Sequence, residues 1–271
     1  MVIREDPDSA DVLCIPQSQH AAISGRLAES WGGEAFPPPA PWEAVCEAAA
    51  RHDDGMDDFD AEPELDPETG LPRGFMKMPL SRWLECWRRG PSLVAEDSPY
   101  AGILVSLHGC GLLARRRLRD EGERLEAADY LAEQEELREE WAGEVERDPA
   151  AAPGLGAAAL AINRDLIVAW DAISLAVCMP RLPDSFDGVP GAEGPVRIDV
   201  FEDDGTAGES AGPPLLRERS LRVDPWPFAQ PAVELEAWGR VLSRRFDERA
   251  AMQAALAAAE PVALRAILLP A

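Results

Sequence analysis

Two long, almost wholly apolar segments, residues 100–113 and 160–179, place the strongest constraint on the fold of this chain. Each is long enough for a helix of several turns, and the sequence has no uninterrupted apolar run of the roughly 18 residues that a membrane helix needs. Both segments therefore predict helices buried in a protein core. The first carries His108 and the second carries Asp171 and Ser174, so reactive polar groups lie on the helices expected to be most buried.

The remaining signals predict more helices in the first two thirds of the chain and strands at its two ends. Helices are predicted at 16–31, 42–51, 79–89 and 115–147, from periodic apolar residues bounded by Pro, Gly or charged runs. Strands are predicted from alternating apolar residues at 2–4, 12–15, 196–201, 215–223, 233–237 and 262–269. Residues 183–195 are rich in Gly, Pro and Asp and predict a loop.

We expect the N-terminal hairpin and the C-terminal strands to share one small antiparallel sheet, because neither set has enough apolar strands to be stable alone. The predicted fold class is mainly α, or α+β overall. Its helical core spans 16–180, and a small β-rich cap formed by 1–15 plus 196–271 packs on that core.

The charge balance excludes some classes of partner. The chain has 26 Lys+Arg against 50 Asp+Glu, a formal net charge of −24 and a pI of about 4.4. Such a chain does not fit nucleic-acid binding by phosphate attraction, nor docking on anionic membranes. Lys77 is the only lysine, and the preference for arginine favours a GC-rich genome over a high-salt cytoplasm as the origin of this composition.

The five cysteines are scattered and show no CxxC spacing, which excludes a zinc ribbon or a thioredoxin-like motif. The odd number of cysteines and the absence of signal-peptide features favour a reducing compartment. We therefore expect a soluble, cytoplasmic protein that acts on a small molecule, and the sequence leaves its oligomeric state open.

The three histidines form an ordered series with two aspartates. His20 lies on the first predicted helix, His52 and Asp53 end the second, His108 lies on the first apolar helix and Asp171 on the other. A buried carboxylate needs a cation or a hydrogen-bond donor. Imidazoles with one or two carboxylates are typical ligands of a divalent metal, so these five residues are the candidate ligands. The metal could be Fe, Mn, Zn or Mg.

This series resembles the HD-domain superfamily, in which a His, a His-Asp doublet and a distant Asp on separate helices surround a metal. His52-Asp53-Asp54-Gly55 is similar to the superfamily's His-Asp-x-Gly turn, and the likeness covers roughly 16–180. The whole chain resembles more closely a bacterial and archaeal family of unknown function. That family shares Gln-x-x-His, His-Asp-x-Gly, Leu-Asp-Pro-Glu-Thr-Gly, Ser-Leu-His-Gly, Trp-Asp-x-x-Ser-Leu and Asp-Pro-Trp-Pro-Phe, in the same order.

The HD resemblance implies an HD-like helical core and a metal-dependent hydrolase acting on a phosphate ester, such as a nucleotide. Asp53 would ligate the metal and orient water, and His108 would serve a second metal or contact a substrate oxygen. Many HD hydrolases have Lys after His-Asp-x-Gly, where this chain has Met56, so an arginine would have to bind the phosphate.

Two other functions fit the same residues. In HD-type iron oxygenases a similar His/Asp cage holds two irons, and dependence on iron and oxygen would identify that activity. A non-catalytic binding or regulatory module that kept the fold would have no metal even after reconstitution. His108 also has a structural interpretation, because Gly109 after it is compatible with a simple helix end.

Overall fold

The computed structural model describes residues 1–6, 9–179, 184–203 and 214–271, and it is 51% helical and 22% strand. Residues 204–213, which fall within the predicted cap, lie outside the described part of the chain. The helices are α1 (Gln17–Ser30), α2 (Trp42–Arg51), α3 (Asp57–Ala61), α4 (Leu80–Ala95), α5 (Pro99–Ala114), α6 (Glu121–Val145), α7 (Ala157–Cys178) and α8 (Arg249–Ala258).

The strands form one large sheet and one separate hairpin. The strands are β1 (Val2–Glu5), β2 (Val12–Ile15), β3 (Leu65–Asp66), β4 (Leu71–Pro72), β5 (Asp184–Gly191), β6 (Gly194–Glu202), β7 (Arg219–Asp224), β8 (Val233–Leu242) and β9 (Pro261–Pro270). Seven of these form a curled half-barrel in the order β1-β2-β8-β9-β7-β6-β5, and β3 pairs with β4.

The predicted fold class, a mainly α HD-like core with a small antiparallel sheet, is therefore wrong. The sheet has seven strands, and it is mixed rather than antiparallel because β7 runs parallel to β9. The predicted loop at 183–195 contributes β5, which pairs with β6. Its Gly and Pro residues misled the prediction because β5 is an edge strand. An edge tolerates proline and a register shift, and this shift lies between Phe186 and Val189.

Both ends of the chain contribute to this sheet, because β2 pairs antiparallel with β8. Leu13 and Ile15 of β2 are fully buried and belong to the same apolar core as Trp170 of α7. The sheet contacts the helical layer where α1 meets β8 and α7 meets β5. The proposed division into a core at 16–180 and a cap at 1–15 plus 196–271 stays a prediction.

The two apolar segments form α5 and α7, as predicted, and they lie at the centre of the helical layer. α5 contacts α2, α4, α6 and α7, and α7 also contacts α1 and α2. Trp170 of α7 is fully buried, and its ring lies 5.6 Å from that of Trp31, centroid to centroid. In the part of the chain that the structure describes, no helix combines the length and apolar character needed to cross a membrane.

Candidate metal centre

The helical layer brings all five candidate ligands to one place. His20 lies on α1, His52 directly follows the last residue of α2 and caps it, Asp53 comes next, His108 lies on α5 and Asp171 on α7. The three histidine side chains are at most 2% exposed, and the side chains of Asp53 and Asp171 are 8% and 13% exposed. Residues far apart in the sequence thus form one buried polar cluster. Their assignment as ligands stays a prediction.

The ligand atoms lie at two kinds of separation. His20 Nε2 is 2.8 Å from Asp53 Oδ2, which is hydrogen-bonding distance. His52 Nε2 is 3.6 Å from Asp171 Oδ1, and His108 Nε2 is 3.5 Å from Asp171 Oδ2. These two distances are too long for hydrogen bonds. They match the roughly 3.3–3.6 Å between neighbouring ligands of a tetrahedral ion whose ligand bonds are about 2.0–2.2 Å.

The orientation of two histidine rings is fixed from outside the cluster. His52 Nδ1 lies 2.8 Å from the carbonyl oxygen of Ala49, an acceptor, so Nδ1 carries the hydrogen. His20 Nδ1 lies 2.8 Å from Ser174 Oγ, and that hydroxyl donates to the carbonyl oxygen of Asp171, so its oxygen accepts from His20. Both rings therefore turn Nε2 towards the carboxylates, the arrangement in which histidine ligands are held in metal sites.

His52 Nε2 shows most directly why a cation fits here. It has no hydrogen-bond partner among the described residues, and it lies 3.8 Å from Asp53 Oδ2 as well as 3.6 Å from Asp171 Oδ1. Three electron-pair donors in a buried space repel one another unless a positive charge lies between them. Two His-His-Asp groups have ligand atoms within 4.8 Å of one another and could each hold a metal ion. They are His20, His52 and Asp53, and His52, His108 and Asp171.

The electrostatics of the cluster lead to the same conclusion. Burial favours the neutral form of His52, but the negative charges of Asp53 and Asp171 outweigh it and raise the pKa of His52 to about 9. Burial opposes ionisation of Asp171, but His52 and the other two histidines hold its pKa below the usual range. His108 differs, because burial lowers its pKa to about 4 and leaves the ring neutral at pH 7.

Gly55 of the His-Asp-x-Gly turn is required by packing. A Cβ at this position would overlap the carbonyl oxygen of Cys86 and would lie 2.8 Å from the backbone nitrogen of Gly90, both on α4. The close approach of the turn to α4 also places Trp83 and Trp87 of that helix beside the cluster. The motif thus serves packing as well as the candidate ligands.

A cavity of about 280 Å³ opens onto the cluster. Its walls combine polar, apolar and basic side chains from α1, α4, α5, α7, the His-Asp turn after α2, the turn before α4 and the residues directly after α5. They are Gln17, His20, Asp53, Phe75, Met76, Trp83, Trp87, His108, Leu112, Arg115, Arg116, Asp171 and Leu175. Gln17, Ser174, Arg115 and Arg116 were not among the predicted site residues. The run of arginines directly after an apolar helix was the available signal for the last two.

Comparison with known proteins finds a family that this chain resembles. A family model described as "Protein of unknown function (DUF3891)" matches residues 1–244. No curated protein and no solved structure matches this chain. The matched segment contains every residue of the candidate metal centre and of the cavity above it.

The packing of Gly55 generates the first prediction. Gly55→Ala is expected to lower the free energy of unfolding by about 1–3 kcal/mol, because the added methyl forces the turn away from α4. Gly111→Ala on α5 is the matched control. A Cβ there meets nothing within 4 Å, so the change should raise stability by up to about 1 kcal/mol through helix propensity. Urea unfolding measures both, and equal effects would contradict the packing argument.

The cluster itself generates the second prediction. Adding Mn²⁺ or Zn²⁺ is expected to raise the melting temperature of the wild-type protein, because a metal bound in the folded state stabilises it. Asp53→Asn should abolish most of this rise, since a neutral amide is a poor ligand. Asp57→Asn, the same change at an exposed position on α3, should leave the rise intact. A rise that survives in Asp53→Asn would exclude Asp53 as a ligand.

Proposed function

The chain belongs to the DUF3891 family of proteins of unknown function, and on that premise we propose that it is a metal-dependent hydrolase of phosphate esters, with chemistry like that of HD-domain enzymes. One observation carries the proposal. The cavity that exposes the His/Asp cluster is also lined by two neighbouring arginines, Arg115 and Arg116. Cation ligands at the bottom of a cavity and arginines in its wall suit a substrate that binds a metal and carries negative charge.

The arginines are available to an anion. Among the described residues neither Arg115 nor Arg116 forms an ion pair, although the chain has 50 acidic residues. Arg116 donates to the carbonyl oxygen of Met78 at 2.8 Å, and its guanidinium lies 5.8 Å from the centre of the Trp83 ring. These contacts hold Arg116 in place without neutralising its charge, which is how arginine recognises phosphate.

Met56 explains why the basic groups of the cavity are Arg115 and Arg116 rather than a residue of the His-Asp-x-Gly turn. It occupies the position where many HD hydrolases have lysine, but it is 1% exposed and packs in an apolar cluster with Phe59 and Trp83. A substrate phosphate therefore has no access to position 56. The end of α5, where Arg115 and Arg116 lie, supplies positive charge from another wall of the cavity.

The proposed reaction is hydrolysis of a P–O ester bond. The oxygen of water bonds to phosphorus, the ester bond to the alcohol breaks, and the alcohol leaves with a proton that came from the water. A bound divalent metal supplies a Lewis acid and lowers the pKa of water. Asp53 helps to hold the metal and orients the water, the neutral ring of His108 faces the substrate oxygens, and the arginines hold the phosphate.

The apolar wall of the cavity would contact the organic part of the ester. It consists of the side chains of Phe75, Met76, Trp83, Trp87, Leu112 and Leu175. Met76 is 57% exposed and lies at the rim, whereas the two tryptophans are buried deeper. A cavity of about 280 Å³ suits a small molecule rather than a polymer.

The experiment uses three neighbouring arginines. Para-nitrophenyl phosphate is offered to protein loaded with Mg²⁺, Mn²⁺, Fe²⁺ or Zn²⁺. Arg115→Gln and Arg116→Gln should each raise KM by about 10-fold or more, since a charge-assisted hydrogen bond contributes about 1.5–3 kcal/mol. Arg117→Gln, next in the chain but not in the cavity wall, should behave like the wild type.

The same experiment separates the alternatives. Absence of ester hydrolysis with all four metals, combined with oxygen consumption that requires iron, would replace the hydrolase with an iron oxygenase. If no metal changes the melting temperature, both proposed enzyme functions are excluded and a non-catalytic binding module is favoured.

A further inference from the structure

Gln17, the first residue of the Gln-x-x-His motif, touches the candidate metal centre without belonging to its ligand set. Its side chain lies in the first turn of α1, and the residue is 1% exposed. Its Nε2 donates to Asp53 Oδ2 at 3.1 Å. The same carboxylate oxygen lies 2.8 Å from His20 Nε2. Gln17 and His20, both on α1, thus contact the same carboxylate oxygen of Asp53.

The contact with Asp53 determines which way the amide faces. With the opposite orientation, Gln17 Oε1 would face Asp53 Oδ2, and two acceptors would repel each other. The carboxylate therefore selects the orientation in which Nε2 donates to it, and Oε1 is left for another donor. No described group donates to Oε1, which is buried. A buried carbonyl without a donor is destabilising, so a ligand that offers an O–H is favoured at this point.

The backbone of Gln17 is fixed as well. α1 begins after Pro16 without a hydrogen bond from its own capping side chain. Asp60, a buried residue of α3, instead accepts the backbone N–H of Gln17 at 2.5 Å. An acid from another helix thus holds the residue at its backbone while Asp53 holds its side chain. The amide is restrained before any ligand enters, which is what a positioning group requires.

We propose that Gln17 is a positioning residue with two contacts: its N–H fixes Asp53 for metal binding, and its carbonyl accepts a hydrogen bond from the water that attacks the ester. No proton moves to the amide, and its carbonyl only orients one O–H of the water. The second contact rests on the proposed hydrolase function, whereas the first concerns metal binding alone.

The experiment compares the same substitution at two positions of α1. Gln17→Met keeps the approximate volume and removes both polar contacts. Gln19→Met is the control, because Gln19 Oε1 accepts from the backbone nitrogen of Trp238 at 3.0 Å, in the sheet. Calorimetric titration with Mn²⁺ should show affinity about 10-fold weaker for Gln17→Met and near wild type for Gln19→Met, since partners of metal ligands typically contribute 10–100-fold.

Kinetics with para-nitrophenyl phosphate test the second contact. At saturating Mn²⁺, Gln17→Met should lower kcat by about 10-fold, with KM within about twofold of wild type, because the arginines still bind the phosphate. Gln17→Glu retains an acceptor oxygen, so its kcat should lie closer to wild type than that of Gln17→Met. If the methionine variant fails to fold, a kcat of Gln17→Glu within about threefold of the wild type supports the contact with water, and a loss of about 10-fold or more overturns it.

Each result has a definite consequence. Wild-type Mn²⁺ affinity in folded Gln17→Met would overturn the contact with Asp53. A kcat for Gln17→Glu as low as that of Gln17→Met would overturn the contact with water. If the wild-type protein binds Mn²⁺ but hydrolyses no ester, the proposed function and the water contact fail together, and the titration still decides the role of Gln17 in metal binding.

Discussion

The site depends on the cost of burying two carboxylates side by side in a helical core. Asp53 and Asp171 both face His52 Nε2. The carbonyl oxygen of Ala49 fixes the orientation of this ring, because it accepts a hydrogen bond from Nδ1. A positive charge relieves the repulsion in this arrangement, and the two carboxylates accordingly raise the pKa of His52. A divalent ion between the two carboxylates would meet the same requirement.

The rest of the structure holds these groups in place. The apolar helices α5 and α7 carry His108 and Asp171 into the core, and α1 and α2 bring the other candidate ligands against them. Gly55 lets the His-Asp turn approach α4, whose tryptophans form one wall of the cavity. The end of α5 places arginines in another wall. The chain thus uses packing to bring acids, histidines and basic groups together around one cavity.

The sequence was informative where a residue type was rare or a segment was uniform. Three histidines in ordered positions were enough to predict a cluster with Asp171, and uniform apolar character predicted α5 and α7. The sequence pattern did not predict the sheet correctly. The glycines and prolines of edge strand β5 are typical of a loop, and the parallel pairing of β7 with β9 depends on tertiary contacts. The contact between Gln17 and Asp53 also depends on how the helices pack, and residue spacing in the sequence does not predict that packing.

Metal content of the purified protein tests the central claim most directly. Elemental analysis of wild-type protein and of His52→Ala, both prepared with Mg, Mn, Fe and Zn present, compares the cluster with and without its central imidazole. The account predicts a stoichiometric divalent metal in the wild type and its loss in a folded His52→Ala variant. Wild-type protein without metal, or equal metal in both proteins, would contradict the account.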